Sequence, residues 1–382
     1  MSDYRIRMLA SPQDINAEDW NALLAQQEHS SPFMEFDFLS GLQDAACATA
    51  ATGWDSHFIL LEHNEVLVAA CVVYLKTHSY GEYVFDWAWA QAYHRHGLDY
   101  YPKALVAVPF TPVPGSRLLA VNDAARFALV GTLLDWCKTM QVSSLHILFV
   151  SEADIAACTA HGMMLRQTVQ FHWKNKQSGY QSFDDFLSHL TQEKRKKIRQ
   201  ERRKVHDAGI AFTTLQGEQI TQQDWDFFYR CYEKTYLEHG NAPYLNRAFF
   251  QHIAQTMAEH WLMFIAYQGN KPVACSLVAI HPEQKTAYGR YWGSIEKIDC
   301  LHFEACYYQP IAWCIAHGYS VFEGGAQGEH KMARALLPVK TVSAHWLMHP
   351  SFANAVADFL EREGEHQELY LEHLEKRQPF KN

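Results

Sequence analysis

The chain has no run of about eighteen apolar residues, so no membrane-spanning helix is expected. Met1–Ala10 has no apolar stretch of the kind a signal peptide needs, which reads as no export signal. Nine cysteines are scattered without a single C-x-x-C pair, and that odd set suits reduced thiols in a cytosol better than a disulfide framework. Charged residues are sparse at 20%, with acids in excess to a net charge of −9, which disfavours bulk nucleic-acid binding. There are 22 histidines but no H-E-x-x-H motif, so no metal site is expected. The P-loop pattern is missing. So is a nucleophile elbow, which leaves little reason to expect an acyl-enzyme on serine or cysteine.

What is present is apolar and aromatic. Hydrophobic residues make up 48% and aromatics 14% of 382 residues, enough for two or three packed domains. An internal repeat organises them. Pro32-Phe33 with Phe38-Leu39 recurs as Pro243-Tyr244 with Phe249-Phe250. His57–Leu60 followed by Asn64 recurs as Met263–Ala266 followed by Asn270. Tyr80–Tyr83 resembles Tyr288–Tyr291, Trp136-Cys137 resembles Trp313-Cys314, and Thr168–Trp173 resembles Thr341–Trp346. The offset between copies falls from 208 at Tyr80/Tyr288 to 177 at Trp136/Trp313, which places an insertion of 31 residues in the first copy, roughly at 92–122. Its four prolines exclude a helix and suggest an ordered loop over a cleft.

Each copy reads as two helical segments, a hairpin, a Tyr-rich strand, a helix, a strand and a final strand carrying a His-Trp pair. That order makes a mixed α/β sheet with flanking helices. Pro310 should kink or split the long helix of the second copy, and Gly318 should cap it. The expected boundaries are 1–180 for the first domain with its 92–122 loop, 181–215 for a basic helical connector, and 216–382 for the second domain.

Three blocks are distinctive: Gly289-Arg290-Tyr291-Trp292-Gly293, His302–Tyr308, and Glu323-Gly324-Gly325-Ala326-Gln327-Gly328-Glu329-His330-Lys331. With Ser31-Pro32-Phe33 and Asp86-Trp87, they resemble the bacterial predicted N-acyltransferases, also described as peptidoglycan biosynthesis/recognition proteins. Those are Fem-like chains of two tandem GCN5-related acetyltransferase (GNAT) domains. The resemblance spans essentially the whole sequence. It implies two acyl-CoA N-acyltransferase-type domains, the second carrying the active cleft and the first mainly structural. The pyrophosphate loop of simple acetyltransferases is absent, with Ile295–Leu301 in its place.

The resemblance also implies where chemistry sits. Two central strands should splay apart beyond Arg290 and Trp292, which alternate onto one face, and the acyl group should enter that gap. Forming an amide requires a base for the amine proton and donors for developing negative charge. Glu323, His302, Glu304 and Lys331 are the catalytic candidates; Arg290, Trp292, Glu329 and Arg334 are expected to bind substrate, with Asp86 and Trp87 in the first copy. Lys194–Lys204 holds eight basic residues opposed only by Glu201. Fem-type proteins have a similar basic helix that meets phosphorylated substrate, so Lys197, Arg199 and Arg203 join the binding set; a solvated connector is the plain alternative. His172 and His345, equivalent in the two copies, are expected to be structural.

The leading expectation is N-acyl transfer from a thioester to a primary amine, possibly lipid-like. The donor would be acyl-CoA or an acyl-carrier thioester, with no tightly bound cofactor and an acyl carrier protein as possible partner. Location is expected to be cytoplasmic, with peripheral contact at the inner membrane face. Fem-type aminoacyl transfer to a cell-wall precursor is the alternative, with tRNA less favoured by the acidic chain. A non-catalytic module binding such precursors is the third reading.

Overall fold

The structure, a computed structural model, describes residues 4–325 and 328–381. Ala326 and Gln327 of the third sequence block lie outside the described residues. In chain order the strands are β1 (Arg5–Leu9), β2 (Trp54–His63), β3 (Val66–Lys76), β4 (Lys103–Val106), β5 (Leu119–Ala120), β6 (Ser144–Ile147) and β7 (Met164–Lys174). They continue with β8 (Ile210–Gln216), β9 (Trp261–Gln268), β10 (Lys271–His281), β11 (Thr286–Ser294), β12 (Val321–Glu323) and β13 (Leu337–Leu347).

The chain forms two compact units, residues 1–168 with 340–369, and residues 169–339 with 370–382. These are interleaved in sequence, unlike the consecutive domains expected at 1–180 and 216–382. The final strands cause it: β13, late in the chain, pairs with β6 of the first unit, while the end of β7 pairs with β12 of the second. Segment 181–215 is likewise no free connector. The basic helix Gln192–Asp207 buries Ile198, Glu201 and Val205, and β8 pairs with β9.

In the first unit β1, β2, β3 and β4 are successive antiparallel neighbours, β4 and β6 are parallel, and β13 closes antiparallel on β6. The second unit repeats this as β8, β9, β10, β11, β12 and β7, with β11 and β12 the parallel pair. Both hairpins turn on residues with positive φ, Asn64-Glu65 in one and Gly269 in the other. Apolar faces then meet helices. Leu129, Val130 and Leu133 of helix Asp123–Thr139 pack with Leu145 and Ile147, and Ile311 of helix Gln309–Ala316 packs in the cluster of Phe264, Ile280 and Phe322.

The register revises one sequence match. Tyr288 pairs with Glu323 across β11 and β12, as Leu105 pairs with His146 across β4 and β6. Leu105 is therefore the counterpart of Tyr288, and Tyr80-Gly81 lies outside any strand. The duplication stands on strand order, with Trp136/Trp313 and His172/His345 as true equivalents. The extra residues of the first unit also split in two. Residues 77–102 join β3 to β4 where 282–285 join β10 to β11, and 107–122 precede the helix where 295–300 do so in the second unit. Segment 92–122 is thus not one loop over a cleft: it contains β4 and β5, and 107–118 is buried nearly throughout, with Arg117 bonded to the Asp154 carboxylate and the Leu148 carbonyl.

Candidate active site

The middle strands of the second unit part after Tyr288, ahead of Arg290 and Trp292 and not beyond them as the resemblance implied. β11 pairs with β12 only over Thr286–Tyr288, while its later residues remain on β10. A β-bulge accompanies the separation. Leu277 faces Tyr291 and Val278 faces Gly289, so Arg290 is the extra residue, and simple alternation from Arg290 to Trp292 is broken there. The opposite flank is a helix with a fault in it. Leu301–Phe303 is α-helical, Glu304–Tyr308 forms a π turn closed by the Gln309 N–H on the Glu304 carbonyl, and Pro310 sits in the first turn of Gln309–Ala316. Pro310 donates no backbone hydrogen bond, and the π turn accommodates the loss without breaking the helix. Gly318 ends it with a positive φ, as expected.

A cavity of about 120 Å³ lies at the separation, lined by Ser276–Val278, Gly289–Trp292, His302, Cys306, Tyr307 and Gly324. His302 stands edge-on to Trp292 at 5.4 Å and to Tyr307 at 5.7 Å. Burial, with the charges of Arg334 and Lys331 nearby, lowers its pKa to about 4, so its imidazole is neutral at pH 7. Lys331 is buried, donates to the Gly325 carbonyl at 3.0 Å, and is pushed down to about 8 by burial. Its chain borders Gly324, where an added Cβ would lie 3.4 Å from the lysine Cδ. Glu323 ends β12 one residue before Gly324, with Oε1 3.9 Å from His172 Nδ1. Burial lowers His172 to about 3, so that contact is not an ion pair at neutral pH. His302, Arg290 and Trp292 thus line one cavity, Lys331 borders it at Gly324, and Glu323 lies next to Gly324 in the chain with its carboxylate toward His172.

Other expected site residues are engaged elsewhere. Glu304 is buried, receives Arg202 on both oxygens at 3.2 Å, and accepts from Gln309 Nε2 at 2.7 Å. It faces a second cavity of about 500 Å³ that Arg199, Arg202, Arg203 and His206 line over an apolar floor of Leu187, Val205, Ile210 and Phe212. Arg199 is exposed there and lies 3.6 Å from Asp184; Lys197 is exposed on the same helix. Arg334 is buried, bonded to Glu201 at 2.9 Å with its guanidinium over the Phe303 ring, while Glu329 pairs with Arg377 at the surface. Glu201, the lone acid of the basic run, also accepts from the Tyr308 hydroxyl.

Asp86 and Trp87 belong to the first unit, where Asp86 joins a buried cluster of charges and Trp87 is exposed. Lys76 and Lys103 face each other across β3 and β4, both fully buried, and Glu82 and Asp86 from the 77–102 excursion close on them. Tyr100 donates to Asp86 at 2.6 Å. Burial alone would raise Asp86, but Lys103 overrides it and holds the carboxyl well below the usual range. His146 and His345 contact through their Nδ1 atoms at 2.8 Å. Sequence reasoning missed Lys76 and Lys103, although each bounds an otherwise apolar strand, where a buried cation needs an anion.

The family model for FemAB-like proteins, described as peptidoglycan biosynthesis/recognition, matches residues 11–382, and the chain belongs to that family. No curated protein matches the sequence. Among solved structures it is similar to the C-terminal domain of a putative lysylphosphatidylglycerol synthetase from Agrobacterium fabrum, at 11% identity and a TM-score of 0.56 over 92% of this chain and 97% of that one. FemX matches with 9% identity and a TM-score of 0.56, over 92% and 100% of the two chains. L-PGS from Bacillus licheniformis matches with 10% identity and a TM-score of 0.55, over 90% and 97%. At such identities the likeness is one of fold.

Proposed function

We propose that the protein joins an activated acyl or aminoacyl group to a primary amine of a cell-wall or lipid-linked precursor, at the strand separation of the second unit. The separation of β11 from β12 carries this reading, because it places a small cavity beside backbone released from the ladder. Backbone N–H groups there can hold the carbonyl oxygen as it gains charge. Lys331 adds a cation at the same place. Glu323 is the candidate base for the amine proton, with neutral His302 as a second acceptor. The reaction is then direct: the amine nitrogen attacks the carbonyl, the thiol or alcohol leaves, and no group on the protein is acylated. Cys306 in the cavity wall supports this, since burial pushes its thiol up and keeps it a poor nucleophile.

A cavity of about 120 Å³ supports a short acyl or aminoacyl group over a long acyl chain. Membership of the Fem-type family and the lysyl group in the name of the lysylphosphatidylglycerol synthetase favour the aminoacyl donor within this reading. Arg199 and Arg203 in the larger cavity are the groups suited to the acidic part of a substrate.

The test is turnover with aminoacyl esters and acyl thioesters against amine-bearing precursors, followed by mass spectrometry of the amide. Lys331→Met should cut kcat on the order of 100- to 1000-fold while thermal unfolding stays at the wild-type temperature. A fully active, folded Lys331→Met would remove Lys331 from the mechanism.

A further inference from the structure

The π turn at Glu304–Tyr308 leaves one backbone carbonyl to be satisfied from outside the helix. In an α-helix the Gln309 N–H would bond the Ala305 carbonyl, four residues back. Here it bonds the Glu304 carbonyl instead. In a π register the donor to Ala305 would be residue 310, which is a proline and has no N–H. Ala305 is fully buried, where an acceptor without a donor is costly. The Ser276 hydroxyl supplies the donor and reaches the Ala305 carbonyl at 2.7 Å.

Ser276 lies on β10, opposite Trp292 in the ladder and directly before the register shift at Leu277 and Val278. It is buried, and its chain neighbours Cys275 and Leu277 are apolar and fully buried. It lines the 120 Å³ cavity together with Trp292 of β11 and with His302, Cys306 and Tyr307 of the helix. The bond to Ala305 therefore fastens the strand side of that cavity to its helix side. On the opposite face of the turn, Arg202 holds Glu304 at the large cavity. A turn of unusual register is thus fixed from both faces, by a hydroxyl on one and a guanidinium on the other.

We propose that Ser276 is a positioning residue for the transferred acyl group. It acts through the π turn, keeping Cys306 and Tyr307 in the cavity wall and His302 edge-on to both Trp292 and Tyr307. The inference rests on the reading that transfer takes place in this cavity. Without the hydroxyl the Ala305 carbonyl loses its donor, and the turn relaxes toward a register that moves the wall. A displacement of about 1 Å at a reacting group costs on the order of 100-fold in rate.

The experiment compares Ser276→Ala and Ser276→Thr with wild type in amide formation, at saturating aminoacyl ester and varied amine-bearing precursor. All three are assayed below their unfolding temperatures, and hydrogen exchange of residues 304–309 is followed by mass spectrometry. Ser276→Ala should lose about 10- to 100-fold in kcat with the KM for the amine unchanged, and its π turn should exchange faster. Ser276→Thr keeps the hydroxyl and should stay within a few-fold of wild type in both readouts. Wild-type kcat in Ser276→Ala overturns the proposal, as does an equal loss in Ser276→Thr or a change confined to KM. A wild type without turnover on any donor overturns the transfer reading itself, and faster exchange in Ser276→Ala would then make Ser276 a brace of the helix alone.

Discussion

Among single residues, the buried charges of the first unit make the sharpest physical statement. Burial pushes Glu82 up to about 7 against Lys103, and burial lowers Lys76 to about 7 despite Glu82. Unfolded, these groups titrate near 4.5 and 10.5. Between about pH 4.5 and 7 the native state holds Glu82's proton and the unfolded state does not, so stability falls as pH rises. Between about 7 and 10.5 the unfolded state keeps the proton Lys76 has lost, so stability climbs again. The pair therefore contributes a minimum near pH 7. Denaturation midpoints across that range should show it, and the double variant Lys76→Met/Glu82→Gln should flatten it; an unchanged profile would mean that neither group titrates in that window. Lys331 makes a kinetic counterpart. With its pKa near 8, the cation it supplies is lost as pH rises past that value, so kcat should fall there. In Lys331→Arg, which stays charged, that descending limb should vanish.

At the level of elements, the basic helix and the bulged strand line different cavities. Arg199 and Arg203 line the large cavity while Lys197 is merely exposed. Reversal of the two arginines to glutamate should raise KM for an anionic substrate with a smaller effect on kcat and a weaker salt response, and Lys197→Glu should do neither. Strand β11 is held at Gly293, where a Cβ would lie 2.0 Å from the Cys231 carbonyl oxygen of helix Gln222–Glu238. Gly293→Ala should cost about 2 kcal/mol or more in chemical denaturation, because backbone meets backbone and no side chain can yield. These elements also show what the sequence could convey. Pro310 and Gly318 announced the split helix and its end, since each acts through its own backbone. The bulge at Arg290 did not show, because a one-residue slip depends on the register with β10. Glu304 was credited to the reaction for its position beside His302, yet a π turn and Arg202 carry it to the other cavity. Only the odd acid of the basic run, Glu201, hinted that this helix packs inward.

For the whole molecule, duplication was legible and its geometry was not. Paired motifs such as Trp136/Trp313 and His172/His345 survive because they occupy the same core positions in each unit. Tyr80/Tyr288 was a chance likeness, exposed only by the pairing of β4 with β6. Interleaving of the units was hidden because a terminal strand reads the same whichever sheet it joins. The central claim is that transfer occurs in the second unit, and register supplies the matched pair for testing it: Glu323 and its first-unit counterpart His146. The decisive measurement is kcat for amide formation in Glu323→Gln and His146→Gln, each shown to unfold cooperatively like wild type. Glu323→Gln should lose on the order of 100-fold or more, and His146→Gln should stay within a few-fold of wild type. Full activity in Glu323→Gln together with loss in His146→Gln would place the chemistry in the first unit and contradict the account.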